Sequence, residues 1–341
     1  MLIFRPGAFC RPFNSIYKMK KLRMGVMGCA NIAQRLMIPA IKEMPDKIEL
    51  VAIASRDGKK AEKFASLFAC EAVAGYDTLL SRDDIDAIYM PLPTGLHKEW
   101  INKALEAGKH IYAEKSIAMT KADAREMVGM AKSMHCAIME GYMYQYHKQH
   151  AIVKQMIADG EIGEPRVIRA SFGFPPFPDP KNFRYDNVIG GGALKDAAGY
   201  VWRCVNFLYG NIFKVTAANV YYDEKGTSIF GSAFLTNGGN VSAEISFGFD
   251  NFYQCNYEIW GSKGKISSTR AFTPKPNEET HIIVEKQGER HDIVVPRFNH
   301  FVAAMEEFYR ICGDASLREK HYRDIVYQAE GLDDIEKLSH N

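Results

Sequence analysis

Gly28, Ala30 and Ala33 stand in the spacing G-x-A-x-x-A, and small residues in that pattern can hold a pyrophosphate. Gly28 permits a tight turn and Ala30 lets backbone amides approach the phosphates. Ala33 lets the following helix pack on the preceding strand, with the anion at the helix N-terminus. Cys29 reads as a small filler of this turn rather than a nucleophile, and Asn31 and Ile32 complete it. Ser55 and Arg56 offer a second piece of chemistry. A site for ribose hydroxyls usually ends its second strand on Asp or Glu, whereas a hydroxyl and a guanidinium suit a 2′-phosphate. Asp57 reads as the cap of the next helix. NADP(H) is therefore expected in preference to NAD(H).

The elements that must position these residues follow from the apolar pattern. Leu22, Met24, Val26 and Met27 predict a strand, and Ile32, Ala33, Leu36, Met37, Ala40 and Ile41 recur at helical spacing. Strands are expected over 48–55, 87–90, 110–114 and 137–140, with helices over 58–68, 98–107 and 121–133. Alternating strands and helices imply a parallel sheet, and such sheets bind ligands beyond the carboxyl ends of their strands. That rule points to Leu92, Pro93, Thr94 and His97 after one strand, and to Glu114, Lys115 and Ser116 after another.

From about Gly163 the pattern changes to strands without intervening helices, over 167–172, 213–222, 228–235, 240–247 and 255–260. Asn237-Gly238-Gly239 signals a hairpin. Helices are expected over 149–159, 200–208, 298–311 and 323–338. The fold class is thus an α/β Rossmann domain plus an α+β domain, whose open, mainly antiparallel sheet is covered by helices on one face. Residues 174–180 form a rigid aromatic loop that, with residues 182–185, is either one wall of a site or an inert connection.

A chain of 341 residues suggests two domains, read as 22–145 for dinucleotide binding and 146–341 for substrate binding and oligomerisation. Residues 1–21 are basic and lack acidic side chains; they read as a poorly ordered extension. A net charge of +2 gives no field that argues for nucleic acid or an anionic membrane, and no apolar run is long enough to span a bilayer. Seven scattered cysteines suggest neither a disulfide framework nor a metal site, and reduced thiols imply a cytoplasmic protein.

The chain resembles the glucose-fructose oxidoreductase/inositol dehydrogenase/rhizopine-catabolism superfamily from Leu22 to the C-terminal helices. The marks are GCANIA at Gly28–Ala33, Ser55-Arg56, MPLPTGLH at Met90–His97 and AEK at Ala113–Lys115, followed by GYMYQYH at Gly141–His147, GEIGEPR at Gly160–Arg166 and GGGALKDAAGY at Gly190–Tyr200. In style the chain is most similar to the NADP-dependent sugar 3-ketoreductases. The resemblance implies a polar catalytic pair of Lys115 and Tyr200, with Asp196 orienting the substrate or Lys115, and His97 lining the nicotinamide pocket. It also implies substrate contacts at Tyr142, Arg184 and Tyr185, and a homo-oligomer built through the C-terminal sheet. A nearby ammonium is expected to lower the Tyr200 phenol from about 10.

The function implied is NADP(H)-dependent reduction of a keto group on a nucleotide-linked sugar. The alternatives are an NADP-dependent dehydrogenase of a free aldose or dihydrodiol, and a non-catalytic cofactor-binding regulator. Relatives commonly carry Pro after the motif lysine and an apolar residue before the motif aspartate. Here these are Ser116 and Lys195. With Ser116 in place of Pro, a trans Lys115-Ser116 bond is expected.

Overall fold

The computed structural model describes residues 20–340. The expected extension over 1–21 lies outside the described residues except for Lys20 and Lys21. The first sheet comprises β1 (Leu22–Met27), β2 (Ile48–Ser55), β3 (Glu71–Ala74), β4 (Ala87–Met90), β5 (His110–Ala113) and β6 (Ile138–Glu140). The strands are parallel, in the order β3-β2-β1-β4-β5-β6, the doubly wound arrangement of a dinucleotide fold. The helices are α1 (Ile38–Lys42), which continues a wide helical turn over Ala33–Met37, α2 (Gly58–Ser66), α3 (Tyr76–Leu80), α4 (Thr94–Glu106) and α5 (Lys121–Ser133).

The central strands β1, β4 and β5 are buried on both sides, so their residues divide between two cores. Met24 and Val26 of β1 face one, and Met27 faces the other. The expected start of α4 at residue 98 is four residues late, because Pro93 has extended backbone and serves as the N-cap of a helix beginning at Thr94. A helix is preceded well by proline, whose missing N–H costs nothing there.

After α6 (Lys148–Ala158) the chain builds an eight-stranded sheet. Its strands are β7 (Pro165–Gly173), β8 (Lys214–Tyr222), β9 (Ser228–Thr236), β10 (Ser242–Gly248), β11 (Gln254–Gly261), β12 (Gly264–Ser268), β13 (Thr280–Lys286) and β14 (Glu289–Val295), in the order β14-β13-β12-β11-β7-β10-β9-β8. Only β10 and β7 pair in parallel. Alternation sorts the side chains: Cys255, Tyr257 and Ile259 of β11 face the core, while Glu258 and Trp260 face outward. Helix α7 (Gly199–Tyr209) crosses the inner face against β7 and β10.

The last two helices, α8 (His300–Gly313) and α9 (Arg318–Leu338), return to the first sheet. Phe301, Ala304, Met305 and Phe308 of α8 complete one of its cores. Helix α9 spans both layers: Tyr322, Ile325 and Ala329 pack under the first sheet, and Leu332 and Ile335 under the second. It is tied to α7 by a buried Arg203–Asp324 ion pair of 2.6 Å, and Gly331 leaves room for the Trp202 indole, which a Cβ would overlap. The second sheet is thus latched to the first by packed helix, not by linker.

Where α6 and α8 begin, His147, His150 and His300 are buried together, with the His147 and His300 rings 5.6 Å apart. His150 is a neutral tautomer held by the Tyr257 hydroxyl at Nδ1, 3.2 Å, and the Ala271 carbonyl at Nε2, 3.0 Å. Burial pushes His147 down to about 4, and His150 and His300 to about 3. Their folded values lie below the unfolded value near 6.5, so below that pH the unfolded chain binds protons that the folded chain excludes. Burial pushes the Glu140 carboxyl up to about 7, which offsets part of this effect. Stability is therefore expected to fall as the pH drops from 6.5 towards 4, by on the order of 1 kcal/mol per pH unit for each of the three histidines. Urea-unfolding midpoints at pH 7.5 and pH 5 measure it.

Candidate active site

The site assembles where the carboxyl ends of β1, β2, β4 and β5 meet the segment leading into α7. Gly28 follows β1 with φ of +120°, and a Cβ there would stand 2.9 Å from Leu92 Cδ2. Only glycine fits both the backbone and the space. Ala33 is buried under the helix, Cys29, Ala30 and Ile32 are half-buried, and Asn31 is exposed along the rim. The Cys29 thiol rests 3.9 Å from the Lys60 carbonyl, and burial raises it, which suits a filler.

At the end of β2, Ser55 is buried and Arg56 is exposed beside the Tyr76 phenol. Asp57 caps α2, accepting from the Lys59 and Lys60 amides at 3.0 and 3.3 Å. The Asp57 carboxylate is therefore engaged by the helix, the Ser55 hydroxyl accepts from the Asp57 amide at 3.2 Å, and the Arg56 side chain is exposed at the tip. These residues fit a dinucleotide with a phosphorylated ribose.

The end of β5 carries the charged residues. Glu114 accepts from the Tyr89 hydroxyl at 2.8 Å, and burial raises its carboxyl above the usual range. Lys115 points across the cleft to Asp196, which lies in a wide helical turn over Leu194–Ala198 leading into α7. The Lys115 ammonium donates to Asp196 Oδ1 and, at 3.2 Å, to the Asp196 carbonyl. Arg184 Nε donates to Asp196 Oδ2 at 2.6 Å. Burial by itself would raise the Asp196 carboxyl, but the Lys115 ammonium and the Arg184 guanidinium together hold it down at about 2. Of the two roles expected for Asp196, the contacts display the orienting of Lys115.

Tyr200 follows one turn later, with the Lys115 ammonium 4.8 Å from its ring centroid. The expected lowering of its phenol is overturned. Burial, with the Asp196 carboxylate next, raises it well above 10. The reason is geometric: the ammonium lies over the ring face and is already paired with Asp196. The Lys115-Ser116 bond is cis rather than trans. Ser116 is held on both sides, its hydroxyl donating to the Lys195 carbonyl at 2.7 Å and its own carbonyl accepting from His97 Nδ1 at 3.0 Å.

Other expected site residues take supporting places. His97 is fully buried, pushed by burial to about 4, and ties α4 to the segment after Lys115 instead of facing an open nicotinamide pocket. Thr94 is buried at the start of α4, while Leu92 and Pro93 are half-buried above Gly28. Tyr142 is also buried; its hydroxyl accepts from Gln328 Nε2 at 3.0 Å and its ring meets Tyr200 edge-on at 5.3 Å. It sits behind the cleft, where substrate contact was expected. The Tyr185 hydroxyl accepts from the Phe177 amide at 2.9 Å, bracing the aromatic loop. Phe177 and Phe183 of this stretch flank the Arg184 guanidinium at 4.9 and 4.7 Å, and Arg184 pairs with Asp196.

Gly95 and Gly190 were not singled out as site residues. A Cβ on Gly95 would stand 2.8 Å from the Ile189 Cα, and one on Gly190 would stand 2.6 Å from the Thr94 Cβ. The loop after Arg184 therefore lies directly on the N-terminus of α4. The GG pairs in the sequence carry a hint of this, but not the partner.

Residues 22–142 match the oxidoreductase family with an NAD-binding Rossmann fold, and residues 150–267 match the GFO/IDH/MocA C-terminal domain. The chain belongs to the GFO/IDH/MocA oxidoreductase family. Among its relatives is the dTDP-3,4-didehydro-2,6-dideoxy-alpha-D-glucose 3-reductase of Saccharopolyspora spinosa, 42% identical over 85% of this chain and 87% of that one. The 3-ketoreductase KijD10 of Actinomadura kijaniata, solved with NADP and TDP-benzene, superposes with a TM-score of 0.90 at 35% identity, covering 93% of this chain and 98% of that one. The aldose-aldose oxidoreductase of Caulobacter crescentus, 20% identical over 94% of this chain and 98% of that one, shares the fold with a TM-score of 0.85.

Asp196 compensates two cations, the largely buried Lys115 and the half-buried Arg184. Asp196→Ala should cost about 3 kcal/mol of stability, since removing one partner strands the others, whereas Asp196→Asn should lose less because its amide oxygen keeps one of the two hydrogen bonds. Denaturant unfolding of both variants measures the difference.

Proposed function

We propose that this enzyme reduces the 3-keto group of a dTDP-linked 3,4-didehydro-2,6-dideoxyhexose with NADPH. The observation that carries the reading is the Lys115–Asp196–Arg184 cluster beside Tyr200, at the ligand-binding edge of a dinucleotide sheet. The 3-reductase activity and the NADP of the relatives named above supply the substrate class and the cofactor.

Gly28, Cys29, Ala30, Asn31 and Ile32 would hold the pyrophosphate, and Ser55 and Arg56 the 2′-phosphate. When bound, the dihydronicotinamide supplies the hydride to the carbonyl carbon. Charge then develops on the carbonyl oxygen, and the Lys115 ammonium stabilises it there. The Tyr200 hydroxyl gives up its proton to that oxygen and is reprotonated from water. A phenol held above 10 stays protonated at neutral pH and yields its proton only to a stronger base, which an alkoxide is. Asp196 fixes the Lys115 side chain, and Arg184, a third exposed, offers the substrate diphosphate a cation framed by two aromatic rings.

Residues 22–145 bind the cofactor and residues 146–341 bind the substrate and build the oligomer. The outer face of the second sheet, with Phe230, Phe234 and Trp260 exposed on it, supports a homo-oligomer. The six described cysteines are all free, which supports a cytoplasmic location. Among the described residues no helix is long and apolar enough to cross a membrane.

The test is NADPH oxidation followed by absorbance, with dTDP-linked keto-deoxysugars, free aldoses and dihydrodiols compared in both directions. Turnover confined to the nucleotide-linked sugars is expected. Oxidation of a free aldose or diol alone would replace this reading, and tight NADPH binding with no turnover would point to a regulator. Lys115→Ala and Tyr200→Phe should each lower kcat by about 100-fold or more. Arg56→Ala should raise the KM for NADPH by about tenfold while leaving that for NADH unchanged, as expected for a lost charge-assisted bond.

A further inference from the structure

Ser116 is almost fully buried, and no part of the proposed reaction uses it. Its hydroxyl donates to the Lys195 carbonyl at 2.7 Å, while the neighbouring Lys115 side chain pairs with the neighbouring Asp196. Two consecutive residues at the end of β5 are therefore matched, one to one, with two consecutive residues of the turn before α7. An ion pair alone sets no register, because an ammonium on a four-carbon stem can follow its carboxylate over some distance. A hydroxyl one bond from its Cβ cannot.

Lys195 is held at its other end as well. Its ammonium stands 4.0 Å from Asp333 Oδ1 and 3.7 Å from Glu336 Oε2 of α9, and Asp333 Oδ2 accepts from the Lys121 amide at 2.9 Å. The residue before Asp196 is thus gripped by its carbonyl from β5 and by its side chain from α9. Behind it, Ser116 Oγ lies 3.5 Å from the Tyr142 hydroxyl, which accepts from Gln328 Nε2; Gln328 also donates to the Gly199 carbonyl at 3.0 Å. This buried seam runs from the residue after Lys115 to the residue before Tyr200.

We infer that Ser116 is a positioning residue, whose hydroxyl sets the register of the Asp196 turn against Lys115 and so fixes the spacing of Lys115, Asp196 and Tyr200. The inference deepens the ketoreductase reading and rests on it for its kinetic consequence, but the geometry can be read without turnover.

The test compares wild type, Ser116→Ala and Ser116→Thr. In the absence of substrate, acetylation of Lys115 by acetic anhydride is followed by peptide mass spectrometry, with the buried Lys109 as an internal control. Ser116→Ala should speed acetylation at Lys115 and not at Lys109, and Ser116→Thr should restore protection. In turnover, Ser116→Ala should lower kcat by about tenfold with the KM for NADPH unchanged, as for a group that orients the reacting centre without binding the cofactor. Wild-type acetylation at Lys115 in Ser116→Ala, or an equal rise at Lys109, would overturn the inference. If wild type does not turn over the dTDP-linked sugar, the function reading falls and the acetylation result still decides the inference.

Discussion

The site depends on one electrostatic constraint, the sharing of the Asp196 carboxylate between Lys115 and Arg184. The three groups come from the end of a parallel strand, a helical turn and an aromatic loop, and each is largely withdrawn from water. A buried carboxylate is costly alone, and two cations crowded without a counter-ion would be costlier. The cluster persists because each charge answers another, and this holds the two sheets' elements at a common point. The excess of one positive charge also suits an anionic substrate and a carbonyl oxygen that becomes negative.

Burial does a second job in the same place. It keeps the Tyr200 phenol and the His97 imidazole in their neutral forms at ordinary pH and raises the Glu114 carboxyl, while ion pairing keeps Asp196 charged. Titratable groups packed within one cleft are thus sorted into proton holders and charge holders by environment alone. The aromatic packing of Tyr142 and Phe172 around Tyr200 supplies the low-dielectric surroundings for that sorting.

Rigidity behind the site comes from close approaches that tolerate few alternatives. Gly28 against Leu92, Gly95 against Ile189 and Gly331 against Trp202 bring backbone to within contact of a neighbouring element. Helix α9 then ties both layers, packing Tyr322 and Ile325 against the first sheet and pairing with Arg203 and the Lys195 ammonium of the segment on the second. The cleft between the two sheets is framed by these contacts, so the two halves of the proposed catalytic group are held by packing as well as by charge.

Local pattern was enough for much of this. The strand-turn-helix at Gly28, the alternation that makes a parallel sheet, the Asp57 cap and the strand-end position of Lys115 are all encoded within a few residues of themselves, and the structure bears them out. Strands β3, β12, β13 and β14 escaped notice, being short or carrying mixed polar residues at or near a sheet edge, where pairing rather than hydrophobic period makes a strand. Whether a side chain faces the cleft or the seam behind it was equally beyond local pattern. Tyr142 and His97 read as ligand contacts by motif, yet both are buried, because what covers them comes from Gln328 and from the segment after Lys115. The raised Tyr200 phenol, too, follows from where Lys115 is already committed. Residue types and spacing determined which groups are present at the sheet's edge; their protonation, direction and partners were decided by segments as much as two hundred residues apart, because burial and charge pairing are properties of the folded surroundings.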